Sequence, residues 1–375
     1  MTLEVDVERR LGAFNIAARF VTEAGGITVL FGRSGAGKTS VVNMIAGLLR
    51  PERGRIALDG RVFYDSEHGI DLPAEHRRIG YVFQEDRLFP HQTVRRNLHY
   101  GRRFAPAGER RIEPDAVIEL LGIGHLLGRR PRSLSTGEKQ RVAIGRALIA
   151  CPRLLLMDEP LASLDTARRG EILPYIERLR DELAMPVVYV SHAVEEVDRL
   201  ADEVVVMSEG RAAAVGAVED IMSRLDLRPL TGRYEAGAVI DCAVEDHDRR
   251  YGLTYLRFPG GRLTVPFVDL PQGAPVRVRI RARDVSVARL APAEISILNV
   301  FKGRVVEIDG EAGPIVDLRL EVGAPPETAP LWARITARSV ADLGLEPGAE
   351  VYALVKAVAL DRRSLGLRQR ARARD

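Results

Sequence analysis

The sequence predicts an α/β domain with a mixed sheet core and a helical subdomain, followed by an all-β, OB-like barrel domain. Three observations predict it. Between residues 154 and 207, apolar runs of strand length alternate with helix-patterned segments, as in a parallel sheet covered by helices. In the first 65 residues, short strand candidates surround a single helix. From about Ala238 onward, short β runs punctuated by Gly and Pro leave almost no helix.

The elements follow in order. Segments 3–7, 16–20 and 27–31 are apolar enough for strands, and 55–58 with 61–64 read as a hairpin around Asp59-Gly60. Val41, Val42, Ile45 and Leu48 recur at helical spacing, which predicts a helix over 38–48. Segment 79–83 is a further apolar strand, and 91–150 is largely helical with a Gly- and Pro-rich break at 105–108. The alternation that follows gives strands at 154–157, 187–190 and 204–207, and helices at 166–183 and 194–200. Residues 228–237 have the composition of a linker. The expected division is 1–230, then a linker and β region at 231–290, then a β domain at 291–365. A short echo runs through the β region: Gly273-Ala274-Pro275-Val276 precedes Ile280-Arg281-Ala282 at the spacing by which Gly348-Ala349-Glu350-Val351 precedes Val355-Lys356-Ala357. It predicts two related β units, the second starting near Glu294.

Composition narrows the classes of partner. The 375 residues are 46% apolar and 29% charged, and 55 Lys and Arg stand against 52 Asp and Glu, a formal charge of +3. Nothing clusters basic residues as a nucleic-acid binder requires, so no nucleic acid is expected. No run of about 18 apolar residues predicts a membrane span. The charged first ten residues do not read as a signal peptide. The two cysteines, Cys151 and Cys242, suggest no disulfide framework, which points to a reducing, cytosolic setting.

The chemistry begins at Gly32-Arg33-Ser34-Gly35-Ala36-Gly37-Lys38-Thr39, between a strand and a helix. Glycines let backbone N–H groups converge on phosphate, and the helix N-terminus adds partial positive charge. Lys38 suits the β- and γ-phosphates of a nucleotide, and the Thr39 hydroxyl suits Mg2+. A second motif, the apolar run Leu154-Leu155-Leu156-Met157 ending in Asp158-Glu159, delivers two carboxylates from a buried strand. Asp158 is the expected magnesium partner and Glu159 the residue that polarises attacking water. This pair of motifs defines a P-loop nucleoside triphosphatase, a class that includes GTPases, helicases and kinases.

Leu134-Ser135-Thr136-Gly137-Glu138-Lys139-Gln140-Arg141 narrows it. Over roughly residues 1–225 the chain resembles the ABC transporter ATPase family, whose signature segment has this form and this place upstream of the paired carboxylates. The resemblance implies a homodimer in which Ser135, Thr136, Gly137 and Glu138 of one copy close over the ATP of the other. It implies that Gln84 contacts magnesium and water, that Ser163-Leu164-Asp165 communicates between paired sites, and that His192 contacts the γ-phosphate. Residues 85–91 resemble the region that touches integral membrane permease subunits. Phe14 is the candidate for stacking on adenine, with Phe20 its rival. Thr136 departs from the family's usual glycine, which adds bulk at the contact with phosphate.

The last unit resembles the small molybdate-binding (Mop-like) domain of molybdate importer ATPases, chiefly through Ser296-Ile297-Leu298-Asn299-Val300-Phe301-Lys302-Gly303 and Ala333-Arg334-Ile335-Thr336-Ala337-Arg338-Ser339. The stretch from Phe63-Tyr64-Asp65-Ser66 to Leu72-Pro73 resembles the same subgroup. The resemblance implies molybdate import, with a periplasmic or extracellular molybdate-binding protein as an indirect partner and a location on the cytoplasmic face of the cell membrane. Sulfate and sugar importers are the alternative. Ser296, Asn299, Lys302 and Ser339 are the donors that suit an oxyanion such as molybdate, although such residues also serve turns and sheet edges.

Overall fold

The structure, a computed structural model, describes residues 2–23, 26–162, 164–183, 185–224, 227, 237–309, 313–357 and 365–367. The chain forms two compact units, Met1–Ala217 and Val218–Asp375.

In the first unit, β1 (Thr2–Leu11) and β2 (Phe14–Glu23) make an antiparallel hairpin, and β3 (Ile27–Phe31) leads to α1 (Lys38–Ala46). Next come β4 (Arg53–Leu58), β5 (Arg61–Asp65), β6 (Ile70–Asp71), the short α2 (Ala74–Arg77) and β7 (Ile79–Val82). A helical stretch holds α3 (Val94–His99), α4 (Pro114–Leu120) and α5 (Thr136–Ile149). It is followed by β8 (Leu154–Asp158), α6 (Thr166–Leu183), β9 (Val187–Ser191), α7 (Val194–Leu200), β10 (Glu203–Ser208) and β11 (Arg211–Ala217).

Two sheets result. One is antiparallel in the order β2-β1-β4-β5-β6. The other has the order β11-β10-β3-β9-β8-β7, parallel except for the β10–β11 hairpin. Strands β3, β8 and β9 are buried at every position, as their unbroken apolar runs require of a sheet covered on both faces. α1 packs with both sheets around one core that includes Val5, Ile16, Leu30, Val42, Ile45, Ile56, Leu156 and Val190.

The second unit starts with α8 (Val218–Ser223), ahead of the expected boundary at residue 230. The expected linker at 228–237 lies outside the described residues apart from Gly237. Then follow β12 (Gly237–Asp248), β13 (Leu253–Phe258), β14 (Gly261–Pro266), β15 (Pro275–Arg281), β16 (Val285–Ala288), β17 (Asn299–Asp309), β18 (Ile315–Ala324), β19 (Glu327–Thr336), α9 (Ala337–Asp342), β20 (Glu350–Val355) and β21 (Leu365–Leu367).

The echo in the sequence is a repeat in the fold. One sheet runs β14-β13-β12-β15-β21, and the other runs β19-β18-β17-β20-β16. Gly273 N donates to Val244 O at 2.8 Å while Val244 N donates to Ala274 O at 2.9 Å. The second copy repeats this with Gly348 N to Val305 O at 2.7 Å and Val305 N to Ala349 O at 2.9 Å. Both glycines have positive φ, 79° and 91°, so both turns use a conformation that favours glycine.

The two copies exchange their last strands: β16 follows β15 in sequence but pairs with β20, whereas β21 follows β20 but pairs with β15. One apolar core, from Ile240 and Leu256 to Leu318 and Trp332, is common to both sheets. The all-β region is therefore one interlocked body, and no packing boundary falls near Glu294. Exchange joins what a linear reading of the sequence separates.

Candidate nucleotide site

The site lies at the carboxyl ends of adjacent parallel strands. Phe31 of β3 pairs with Ser191 of β9, and Asp158 of β8 pairs with Val190. The loop 32–37, the carboxylates Asp158 and Glu159, and His192 therefore emerge along one edge of the sheet, where open α/β sheets bind ligands.

Close packing dictates glycine in that loop. A Cβ on Gly32 would stand 2.2 Å from the Met207 carbonyl oxygen, and Gly37, which begins α1, has φ 95°. The β10–β11 turn braces the loop, with Gly210 N donating to Ala36 O at 3.1 Å. Lys38 is buried. Its ammonium donates to Gly32 O at 2.8 Å and Arg33 O at 3.1 Å, and lies 3.6 Å from Glu159 Oε1. Burial pulls the Lys38 ammonium below the usual lysine pKa, against the carboxylates of Glu159 and Asp158.

The Thr39 hydroxyl donates to Asp158 Oδ1 at 3.0 Å. Tyr81, from the neighbouring β7, donates to Asn43 Oδ1 at 2.9 Å and stands 3.4 Å from Asp158 Oδ2. Burial raises the Asp158 carboxyl above the usual carboxylate range. Glu159 has a left-handed backbone, φ 43°, which an ordinary residue adopts only under constraint. Here Glu159 N is tied to Val190 O at 3.2 Å, and its side chain lies between Lys38 and His192, with Oε2 at 3.2 Å from His192 Nδ1. Gln84 is exposed two residues past Val82, as Glu159 is two past Met157, and Val82 pairs with Met157. Phe14 is half-buried, and its ring is 3.3 Å from where a Gly37 Cβ would stand, whereas Phe20 is buried in the core. Of the two aromatics, only Phe14 borders the loop.

These groups fit magnesium with phosphate. Among the described residues no three His, Cys, Asp or Glu side chains gather as a metal cage. A magnesium shared with phosphates needs only one or two protein oxygens, which Thr39 and Asp158 supply side by side.

The signature segment begins α5. Ser135 is exposed at the N-cap, its Oγ accepts from Glu138 N at 3.3 Å, and Glu138 Oε2 accepts from Ser135 N at 2.7 Å. This reciprocal capping box holds the Glu138 carboxyl below the usual carboxylate range. Thr136 and Gly137 follow in the first helical turn, both half-buried. Arg146, further along α5, donates to Arg87 O at 2.7 Å and Asp86 O at 3.3 Å, which anchors the segment after Gln84. Of Ser163-Leu164-Asp165, Ser163 lies outside the described residues. Leu164 is buried, and Asp165 Oδ1 accepts from Arg168 N at 2.9 Å.

The four oxyanion candidates do not converge within one chain. Asn299 is buried and engaged at both ends of its amide: its Oδ1 accepts from Thr264 N at 2.6 Å and its Nδ2 donates to Thr264 O at 3.0 Å. Lys302 pairs with Glu350 at 3.2 Å, and Ser339 bonds the Thr336 hydroxyl at 2.9 Å. Thr336 pairs with Ile315, next to the strand end that faces Asp309, while Asn299 begins β17. Those ends are separated by roughly 30 Å of extended chain. Ser296 is exposed in the loop before β17.

The ABC transporter family model matches residues 17–162, and the TOBE domain model matches residues 295–361. The molybdenum import ATP-binding protein ModC of Mesorhizobium japonicum is 55% identical over 366 residues, covering 98% of each chain. The chain belongs to the ModC family of ABC transporter ATPases. Other ModC relatives are those of Paramagnetospirillum magneticum, 52% identical over 96% of this chain and 98% of its own, and Rhodospirillum rubrum, 51% identical over 97% and 98%. As a member of the ModC family the chain is an ATP-binding and ATP-hydrolysing subunit.

Two side chains that hold this site carry no signal in the sequence. Tyr81 reads as one more apolar strand residue, and nothing in its spacing announces that its hydroxyl meets Asp158. Arg77 lies in a charged run, yet it is 1% exposed and donates to Leu72 O, Met44 O and Ile45 O at 2.7 to 2.9 Å. It thereby satisfies carbonyls at the C-terminal end of α1, the helix that carries Lys38. Gly47 leaves room for it, since a Cβ there would stand 2.8 Å from Arg77 Nε.

Proposed function

We propose that two copies of this chain enclose two ATP molecules and use their hydrolysis to drive molybdate import through a membrane permease, at the cytoplasmic face of the cell membrane. ABC transporter architecture couples such an ATPase to permease and substrate-binding subunits, and a periplasmic or extracellular molybdate-binding protein is the expected donor of cargo. The observation that carries the choice of cargo is identity to ModC along nearly the whole chain, including the β region.

In this reading the loop amides and Lys38 bind the β- and γ-phosphates and offset charge as the terminal phosphoryl group departs. Phe14 offers the adenine a face. Thr39 and Asp158, with Gln84, would hold magnesium, which would supply charge stabilisation to the phosphates. Glu159 orients the attacking water by accepting a hydrogen bond from it, and His192 fixes Glu159 while contacting the γ-phosphate. Ser135, Thr136, Gly137 and Glu138 complete the opposing copy's site. Ser163, Leu164 and Asp165 carry communication between the two sites. The Mop-like region takes an oxyanion only where a second copy adds groups, because one chain does not gather Ser296, Asn299, Lys302 and Ser339.

The test is ATP hydrolysis by the chain reconstituted with its permease and binding protein in vesicles. Molybdate-loaded binding protein should stimulate hydrolysis and drive uptake. Stimulation by sulfate or maltose instead would overturn the assignment of cargo, and stimulation by tungstate as well would widen it to both tetrahedral metal oxyanions.

A further inference from the structure

Arg169 lies on α6, just past the Leu164–Asp165 loop. Its Nε donates to the Leu164 carbonyl oxygen at 2.9 Å, and its Nη1 stands 4.0 Å from Glu196 Oε1. Glu196, on α7, is buried. Its Oε2 accepts from the Tyr189 hydroxyl at 2.9 Å and from the Ser191 hydroxyl at 2.8 Å. Ser191 Oγ in turn accepts from Ala193 N at 3.0 Å. Ser191 and Ala193 flank His192, whose Nδ1 is 3.2 Å from Glu159.

A chain of contacts thus leads from the loop carbonyl through Arg169, Glu196 and Ser191 to the backbone that carries His192, and from the His192 ring to Glu159. We propose that Arg169 and Glu196 are a positioning pair that transmits the placement of the Leu164–Asp165 loop to His192 and Glu159. The inference rests on the proposed paired arrangement, in which that loop faces the neighbouring site.

A buried carboxylate is costly unless its oxygens are satisfied, and Glu196 has one oxygen on two hydroxyls and the other facing a guanidinium. The planar fork of Arg169 reaches the loop carbonyl with one nitrogen and faces Glu196 with another, so movement of Leu164 shifts a charge relative to Glu196. Glu196 holds Ser191, and Ser191 orders the backbone on both sides of His192. Lysine has no such fork and cannot hold both contacts. Burial also keeps the Glu196 carboxyl above the usual range, so the neighbouring cation matters to its charge state.

The test uses the full chain in its reconstituted complex, with Arg169→Lys, Glu196→Gln and the double variant. Steady-state ATP hydrolysis, nucleotide binding and thermal unfolding are measured on each. Each single variant should lose about tenfold or more in kcat while ATP affinity holds, since small misplacements of catalytic groups are expensive. The double variant should be no slower than the slower single, the non-additivity of a coupled pair. Unchanged kcat, additive losses, or losses matched by falling melting temperature would each overturn the inference. An inactive wild-type complex would instead overturn the proposed function, so the two failures are distinguishable.

Discussion

The Thr39 hydroxyl donates a 3.0 Å hydrogen bond to Asp158 Oδ1 across 119 positions of sequence. Two motifs that a linear reading pairs only by their residue types are joined here atom to atom. The join is possible because β3 and β8 both flank β9 and end at the same edge. Its consequences can be measured.

Glu159→Gln keeps the shape of the side chain but removes its negative charge between Lys38 and His192. Nucleotide should still bind, because the phosphate loop is untouched, while turnover falls by about 10²-fold or more. Phosphate release and nucleotide binding on the same preparation check this, and unchanged steady-state hydrolysis would count against Glu159 as the water-orienting group.

Tyr81→Phe deletes a hydroxyl shared between Asn43 and Asp158. A hydrogen bond of this kind contributes about 1 kcal/mol, so the magnesium concentration for half-maximal hydrolysis should rise several-fold. The fold should hold, because the ring remains. Magnesium titrations of the ATPase rate measure the shift.

Arg77→Leu takes the Arg77 donors away from two buried carbonyls at the end of α1, Met44 and Ile45, and from the half-buried Leu72 carbonyl. The expected cost is on the order of 3 kcal/mol of stability. Urea unfolding should show a lower midpoint with an unchanged slope.

Asn299→Ala removes the side chain that pairs with both backbone groups of Thr264 on the edge strand β14. The loss should be about 2–3 kcal/mol in the β unit, since a buried N–H and a buried C=O are left unsatisfied. Unfolding of the full chain followed by Trp332 fluorescence would report it. A negligible effect would show that Asn299 is not needed for structure and would return it to the oxyanion candidates.

Glu138 makes a prediction about pH. Its folded pKa is depressed by the Ser135 backbone N–H, so the stability it contributes is present above the ordinary glutamate value and is lost as pH falls through the folded value. The difference in melting temperature between the wild type and Glu138→Gln should therefore be largest near neutral pH and shrink on acidification below pH ~4.

Much of this was legible in the sequence because it is local. A glycine loop between an apolar strand and a helix, a buried strand ending in two carboxylates, and the signature segment from Leu134 to Arg141 each declare themselves within about ten residues. Strand candidates such as 27–31 and 154–157 are equally plain, since full burial requires an unbroken apolar run. Even the β repeat left a trace, because both turns need a glycine with positive φ at the same point before a strand.

What the tertiary structure alone decided is which distant groups meet. Side-chain partners such as Arg77 with the carbonyls of α1, Tyr81 with Asp158, and Arg169 with Leu164 and Glu196 depend on where separate elements stop in space. The exchange of β16 and β21 likewise depends on which sheet edge each strand reaches, and neither strand differs in pattern from one that pairs at home. Asn299 is the sharpest case: its amide suits an oxyanion on paper, yet burial beside an unpaired strand edge gives its donor and its acceptor to Thr264. Local composition determines what a residue is able to bond, and packing determines what it does bond, because a buried polar group must take the partner within reach.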